Sequence, residues 1–163
     1  THLQDLLQTA IGDHQAEIEQ RDITLTSDLP TEPIRVQADP YWLGRTFSKL
    51  IFNAVGHTIT NGQVSIRLYR TNDDKPQAVI EIQDGGPGYD PEMLPQIFEP
   101  FSQVTEGEQP GTLLNLTCGR DVIREHGGEI SIQSDPDTGN TFTVRLRLTP
   151  PTPPETAPDT PTS

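Results

Sequence analysis

"QAVIEIQDGGPG", residues 77–88, is a strand that runs directly into glycines. Val79, Ile80 and Ile82 supply the branched apolar side chains that fit a pleated, half-buried surface. Asp84 closes the strand, and Gly85, Gly86 and Gly88 follow it. A carboxylate held at a strand end beside bare backbone can be approached by a planar ligand. It can accept a hydrogen bond from an amino group such as that of adenine. Taken alone the segment reads as a turn, because Asp-Gly and Gly-Pro both mark turns.

Working upstream, "QVSIRLY" (63–69) is a second alternating strand, joined to the first by the polar turn "RTNDDKP" (70–76). Asp39-Pro40 starts a helix, with a capping Asp followed by Pro at the first helical position. Leu43, Phe47, Leu50, Ile51 and Ala54 fall on one face of it, and Thr60, Asn61 and Gly62 are expected to stop it. Lys49, Asn53 and Gly56 share one flank. A carboxamide there can hold a metal or a phosphate oxygen, directly or through water; the commoner fate of such an Asn is the surface. Further back, "DITLTSDLP" (22–30) and "PIRVQAD" (33–39) alternate through Ile23, Leu25, Ile34 and Val36, which predicts a hairpin of two short strands. Leu3, Leu6, Leu7, Ala10, Ile11 and Ile18 recur at helical spacing, which predicts one helix over residues 3–20.

Downstream, "PEMLPQIF" (91–98) reads as a short helix and "SQVTEGEQPG" (102–111) as a polar connection. A longer helix follows over residues 112–126, ending at Gly127-Gly128, where glycine favours a left-handed cap. Gly111 and Thr112 stand at its start, where free N–H groups and the positive dipole end face an anion. "EISIQS", the turn "DPDTGN" and "TFTVRLRL" make a last hairpin over residues 129–148. The element order points to an α+β fold: one mixed sheet with helices on one face.

The chain has 163 residues, enough for one domain of common size. Residues 150–163 hold 6 of its 16 prolines and almost nothing apolar. Such a stretch buries too little surface to offset its ordering entropy, so the domain is expected over residues 1–149 and a disordered tail or linker over 150–163. The net charge of -13, with no basic block, argues against a nucleic-acid partner, whose affinity would rest on Lys and Arg. Cys118 is the only cysteine, which excludes an internal disulfide and a cysteine-built metal site and suits a reducing compartment. No apolar run is long enough to span a bilayer and no signal peptide is visible, so direct membrane insertion is not expected.

Taken together and in this order, the segments resemble the ATP-binding domain of sensor histidine kinases, in the superfamily of gyrase B, Hsp90 and MutL. "ADPYWLGRTFSKLIFNAVGHT" (38–58) is similar to the family's N box and "DGGPGYDPE" (84–92) to its G1 box. "LPQIFEPF" (94–101) is similar to its F box, and "GTLLNLTCGRDVIREHGGEISIQS" (111–134) to its G2 box and following helix. "GNTFTVRL" (139–146) is similar to its last hairpin. The resemblance implies a Bergerat-type two-layer α/β sandwich, with a mixed sheet of five or slightly more strands and helices on one face. It implies ATP and Mg2+ as cofactors. Asp84 would bind the adenine amino group, with Gly86 and Gly88 letting the base lie close. Asn53 would place the magnesium, Gly111 and Thr112 would meet the phosphates, and Thr141 would stand near the adenine. Phe98 and Phe101 would brace a lid over the nucleotide.

The function implied is phosphoryl transfer from Mg-ATP to a histidine on a separate dimerisation domain. The partners implied are that helical phosphoacceptor domain, within the same full-length protein, and a response-regulator receiver domain. The location implied is cytoplasmic, with any membrane anchor elsewhere in the full-length protein. His2, His14, His57 and His126 lie in no segment resembling the acceptor helix, so this chain alone is not expected to autophosphorylate.

Some positions depart from the pattern. Lys49 stands where the family usually carries a second polar N-box residue, and Gly56 where many members have a phosphate-contacting Lys. Protonated, Lys49 offers no lone pair to a metal, but it can offset triphosphate charge. The G2 box reads Gly111-Thr112-Leu113-Leu114-Asn115-Leu116, where the family reads Gly-Thr-Gly-Leu-Gly-Leu. Leu113 adds bulk at the phosphates and resists positive φ, a strain on the order of 1–3 kcal/mol. These departures support an alternative: a pseudokinase-like regulatory module with weak or no nucleotide binding.

Overall fold

Apolar side chains at every second position of three neighbouring strands set the architecture. The computed structural model describes residues 1–58, 61–72, 74–85, 119–135 and 139–148. Its elements are α1 (Leu3–Asp13), α2 (Gln15–Gln20), β1 (Thr24–Asp28), α3 (Pro40–His57), β2 (Gln63–Arg70), β3 (Gln77–Gln83), β4 (Glu129–Asp135) and β5 (Gly139–Arg147). Residues 119–125 are also helical. The five strands form one sheet in the order β1-β2-β3-β5-β4. β1 runs parallel to β2, and the other neighbours are antiparallel. The sheet is thus mixed and five-stranded, as expected.

Its register lines up rows across the strands. Ile66, Ile82, Phe142 and Ile132 make one row, and Leu68, Ile80, Val144 and Ile130 the next. The matching row on the other face is Arg67, Glu81, Thr143 and Ser131. These apolar rows lie on one face of the sheet, and that face takes a covering layer. That layer is α3 with α1 beside it, together with Ile123 from the helical segment. Leu43, Phe47, Leu50, Ile51, Ala54 and Val55 of α3 and Leu3, Leu7 and Ala10 of α1 are all buried. Each large apolar side chain so removed from water contributes roughly 1.5–3 kcal/mol.

The start of α3 is as expected: Pro40 opens it, and the Asp39 carboxylate accepts from the Tyr41 N–H at 2.9 Å. It ends at His57, with Thr58 extended at φ -78 and ψ 139, slightly before the expected stop. Asn61 takes φ 67 in the turn to β2. The end of the helical segment forms a Schellman motif: Gly128 N–H donates to Ile123 O at 2.9 Å and Gly127 N–H to Arg124 O at 3.0 Å.

Two expectations are corrected. Residues 3–20 are not one helix; His14 separates α1 from α2 with φ -115 and ψ 11. The break follows Gly12-Asp13, both poor helix formers. It brings the His14 ring to Ser48 Oγ at 2.9 Å and against Phe52 of α3. The hairpin over residues 22–39 does not form either. β1 exists but pairs with β2, Thr24 opposite Gln63. Ile34 and Val36 are both 2% exposed, yet their backbone pairs with the chain start: Leu3 N–H donates to Ile34 O and Val36 N–H to Thr1 O, both at 3.0 Å. Their alternation reflects burial in the core, and Pro30 and Pro33 keep the intervening backbone out of a ladder. The expected tail, residues 150–163, lies outside the described residues.

Candidate functional site

At one end of the sheet the covered face turns from apolar to polar. Alternation along β3 takes Ile80 and Ile82 to Asp84, and along β5 takes Val144 and Phe142 to Asn140. Asn140 is in turn the register partner of Ser134 in β4. A row of Asp84, Asn140 and Ser134 therefore caps the apolar rows. Asp84 is 1% exposed and Asn140 0%.

A carboxylate so buried needs donors. Asn140 supplies them: its backbone N–H reaches Asp84 Oδ1 at 3.1 Å, and its Nδ2 lies 3.3 Å from both Oδ1 and Oδ2. The Asp84 N–H donates back to Asn140 O at 2.9 Å. Ser134 Oγ donates to Asn140 Oδ1 at 2.6 Å, which fixes which way the carboxamide faces. Gly139 lies against the same residue, with φ +90 and no room for a side chain.

The second wall is the C-terminal end of α3. Asn53 is 5% exposed, and its Nδ2 has no hydrogen-bond partner among the described residues. A buried unsatisfied donor costs roughly 1–3 kcal/mol. A ligand oxygen would relieve that cost, and the carboxamide's other end can face a cation or its water. The residues present thus fit a magnesium-bound phosphate. Lys49 stands one helical turn before Asn53, half-buried.

Thr58 ties the two walls together. It is 1% exposed, and its Oγ1 donates to Ala54 O at 2.7 Å and accepts from the Gly85 N–H at 3.1 Å. Asn53 precedes Ala54 and Asp84 precedes Gly85, so Thr58 links the backbone beside one expected site residue to the backbone beside the other.

Thr141 sits in β5 opposite Gln83 and shares the face turned away from α3 with Thr143 and Arg145. Its neighbour Asn140 is the residue that reaches Asp84. Gly86, Gly88, Gly111, Thr112, Leu113, Asn115, Phe98 and Phe101 lie outside the described residues. Sequence reasoning missed Asn140, Gly139 and Thr58. Extending the period-two pattern of β5 backwards from Phe142 would have found Asn140. Thr58 carries no comparable local signal.

Comparisons with known proteins bear on the family and the fold. Residues 38–150 match the family described as histidine kinase-, DNA gyrase B-, and HSP90-like ATPase. The sensor protein TorS of Escherichia coli (strain K12) is 32% identical over 144 residues, which is 88% of this chain and 15% of TorS. The alginate biosynthesis sensor protein KinB of Pseudomonas aeruginosa is 32% identical over 128 residues, 78% of this chain and 21% of KinB. The chain therefore spans only a minor part of these relatives. A nucleotide-free catalytic domain of the histidine kinase ThkA superposes with a TM-score of 0.75 at 26% identity, over 92% of this chain and 96% of that one. Full-length ShkA in complex with AMPPNP shares the fold, with a TM-score of 0.73 at 22% identity, over 91% of this chain and 30% of that one. Among the described residues, no helix is long and apolar enough to cross a membrane.

Proposed function

The chain belongs to the family of histidine kinase-, DNA gyrase B- and HSP90-like ATPases, and from that premise we propose that it is the catalytic, ATP-binding domain of a two-component sensor histidine kinase. It passes the γ-phosphoryl group of Mg-ATP to a histidine on a helical dimerisation domain of the same full-length protein, which then serves a response-regulator receiver domain. The full-length protein works on the cytoplasmic side. The observation that carries this reading is Asp84: a buried carboxylate at a strand end, held in place by Asn140.

Each residue has a part in that reading. Asp84 accepts from the adenine amino group, while Asn140 keeps the carboxylate facing the base. Gly86 and Gly88 let the ring lie against backbone. The buried Asn53 carboxamide serves a phosphate oxygen or the cation, and Lys49 adds positive charge one turn away. Gly111 and Thr112 offer backbone and hydroxyl donors to the phosphates, and Thr141, its own side chain on the other face of the sheet, acts only as the neighbour of Asn140. Magnesium, when bound, neutralises phosphate charge. The domain supplies no nucleophile; it contributes positioning and charge complementarity.

The sequence of the phosphate loop favours a second reading. Leu113 and Asn115 replace two of the family's glycines, so the base seat is intact and the phosphate grip is weakened. Calorimetric titration with ADP and with adenosine, each with and without magnesium, tests both readings. Magnesium-dependent ADP binding tighter than adenosine binding supports the kinase reading; weak binding of both with similar affinity, lost in Asp84→Asn, supports a kept base seat with a weakened phosphate grip. Unchanged affinity in Asp84→Asn would remove the base contact. Absence of any binding to the unaltered chain would select the pseudokinase-like module.

A further inference from the structure

We propose that Arg21, which lies outside the matched family segment, is a positioning residue for the nucleotide site: it holds the end of α3 so that Thr58 can fix the Asp84-Gly85 turn. This rests on the reading of Asp84 as the base-binding residue.

Arg21 caps the C-terminus of α2. Its guanidinium donates through one terminal nitrogen to Val55 O and through the other to Thr58 O. Val55 lies in the last turn of α3, where its carbonyl otherwise accepts only a 3.3 Å bond from the capping Thr58 N–H and a cation meets the negative dipole end. The Arg21 carbonyl accepts from the Asn61 N–H at 3.2 Å, so one residue grips both sides of the turn between α3 and β2. Thr58 then passes that position on, because its hydroxyl accepts from the Gly85 N–H. Gly85 is closely packed there: a Cβ on it would stand 2.9 Å from Gln63 O and 3.6 Å from Thr58 Cγ2. The path from Arg21 to Asp84 is therefore one charged hydrogen bond to the Thr58 carbonyl, the Thr58 side chain, and one hydrogen bond from the Gly85 N–H to its hydroxyl. A lysine places a single point charge and cannot match two carbonyls with a planar fork.

The test uses the full chain, with heteronuclear NMR of the Gly85 amide and titration with adenosine. Arg21→Met should raise the exchange rate of the Gly85 amide about tenfold and weaken adenosine binding by a similar factor, the effect of losing one well-made hydrogen bond. Amides of Ile80 and Ile82 should keep their protection. Arg21→Lys should fall between. Thr58→Val, which leaves the guanidinium and both carbonyls in place, should reproduce the Gly85 effect and covers the case that Arg21→Met does not fold. The proposal is overturned if the Gly85 amide is unchanged in Thr58→Val or in a folded Arg21→Met. It is also overturned if Ile80 and Ile82 lose protection in step with Gly85, since Arg21 would then act on stability alone. The amide readout needs no ligand, so it decides the positioning role even if adenosine fails to bind the unaltered chain.

Discussion

Replacing Gly139 with alanine should destabilise the domain and disable the site together. At φ +90 an L-residue is strained, and the new Cβ would stand 2.2 Å from Asp84 O and 3.1 Å from Asp84 Oδ1. The dihedral term alone is roughly 1–2 kcal/mol. Backbone cannot rotate away as a side-chain end can, so β5 or the Asp84 turn must shift, at a further cost of about 1–3 kcal/mol. The sum, roughly 2–5 kcal/mol, is a large part of the ~5–15 kcal/mol that holds a domain folded. It corresponds to a fall in Tm on the order of 5–20 °C for a chain of this size. Gly127→Ala is the control, since Gly127 has φ +75 but nothing within 4 Å of an added Cβ. It should show only the dihedral term, about 1–2 kcal/mol. Denaturant titration of both variants against the unaltered chain gives the comparison, and calorimetry with adenosine should show binding kept in Gly127→Ala and lost in Gly139→Ala. Equal destabilisation by the two substitutions would refute the crowding argument, because only Gly139 faces the Asp84 backbone.

Three other perturbations test separate parts of the structure. Asp39→Ala removes the acceptor of the Tyr41 N–H at the start of α3 and should cost about 1 kcal/mol, with Asp39→Ser recovering most of it in the same unfolding assay. The Tyr69 phenol is held above its ordinary pKa of 10.0, by burial first and then by its hydrogen bond to Glu81 and that residue's charge. The folded state therefore keeps this proton more tightly than the unfolded chain. Its stabilising contribution is whole below about pH 10 and is lost as pH rises through the folded value. Tyr69→Phe should flatten that alkaline loss in a Tm-against-pH series, and an equally steep limb would count against it. Leu113→Gly combined with Asn115→Gly should strengthen ADP binding about ten- to a hundred-fold and leave adenosine unchanged; no gain for ADP would remove the steric account of the weakened loop.

What was legible locally followed from local physics. β2 and β5 bury alternate residues and β4 alternates between half-buried and exposed, and such period-two alternation shows in any short window. The opening of α3 was legible because a cap and a proline act within one turn, and the Gly127-Gly128 end because glycine alone takes that conformation without strain. The motif order carried the family and its fold. Ile34 and Val36 show where local signals stop: they alternate as a strand does, and they are buried, but alternation does not name the partner.

The sequence by itself determined α3, the strands β2 to β5 with their alternation, and Asp84 and Asn53 as the groups to examine. The tertiary structure alone decided that Asn140 rather than Thr141 stands on that carboxylate, that Thr58 joins the helix to the strand end, and that Arg21 holds the helix from outside. Element type depends on neighbours a few residues away, which any stretch of sequence displays. A contact such as Asn140 with Asp84 depends on strand pairing between distant segments, where a one-residue change of register turns every side chain to the other face.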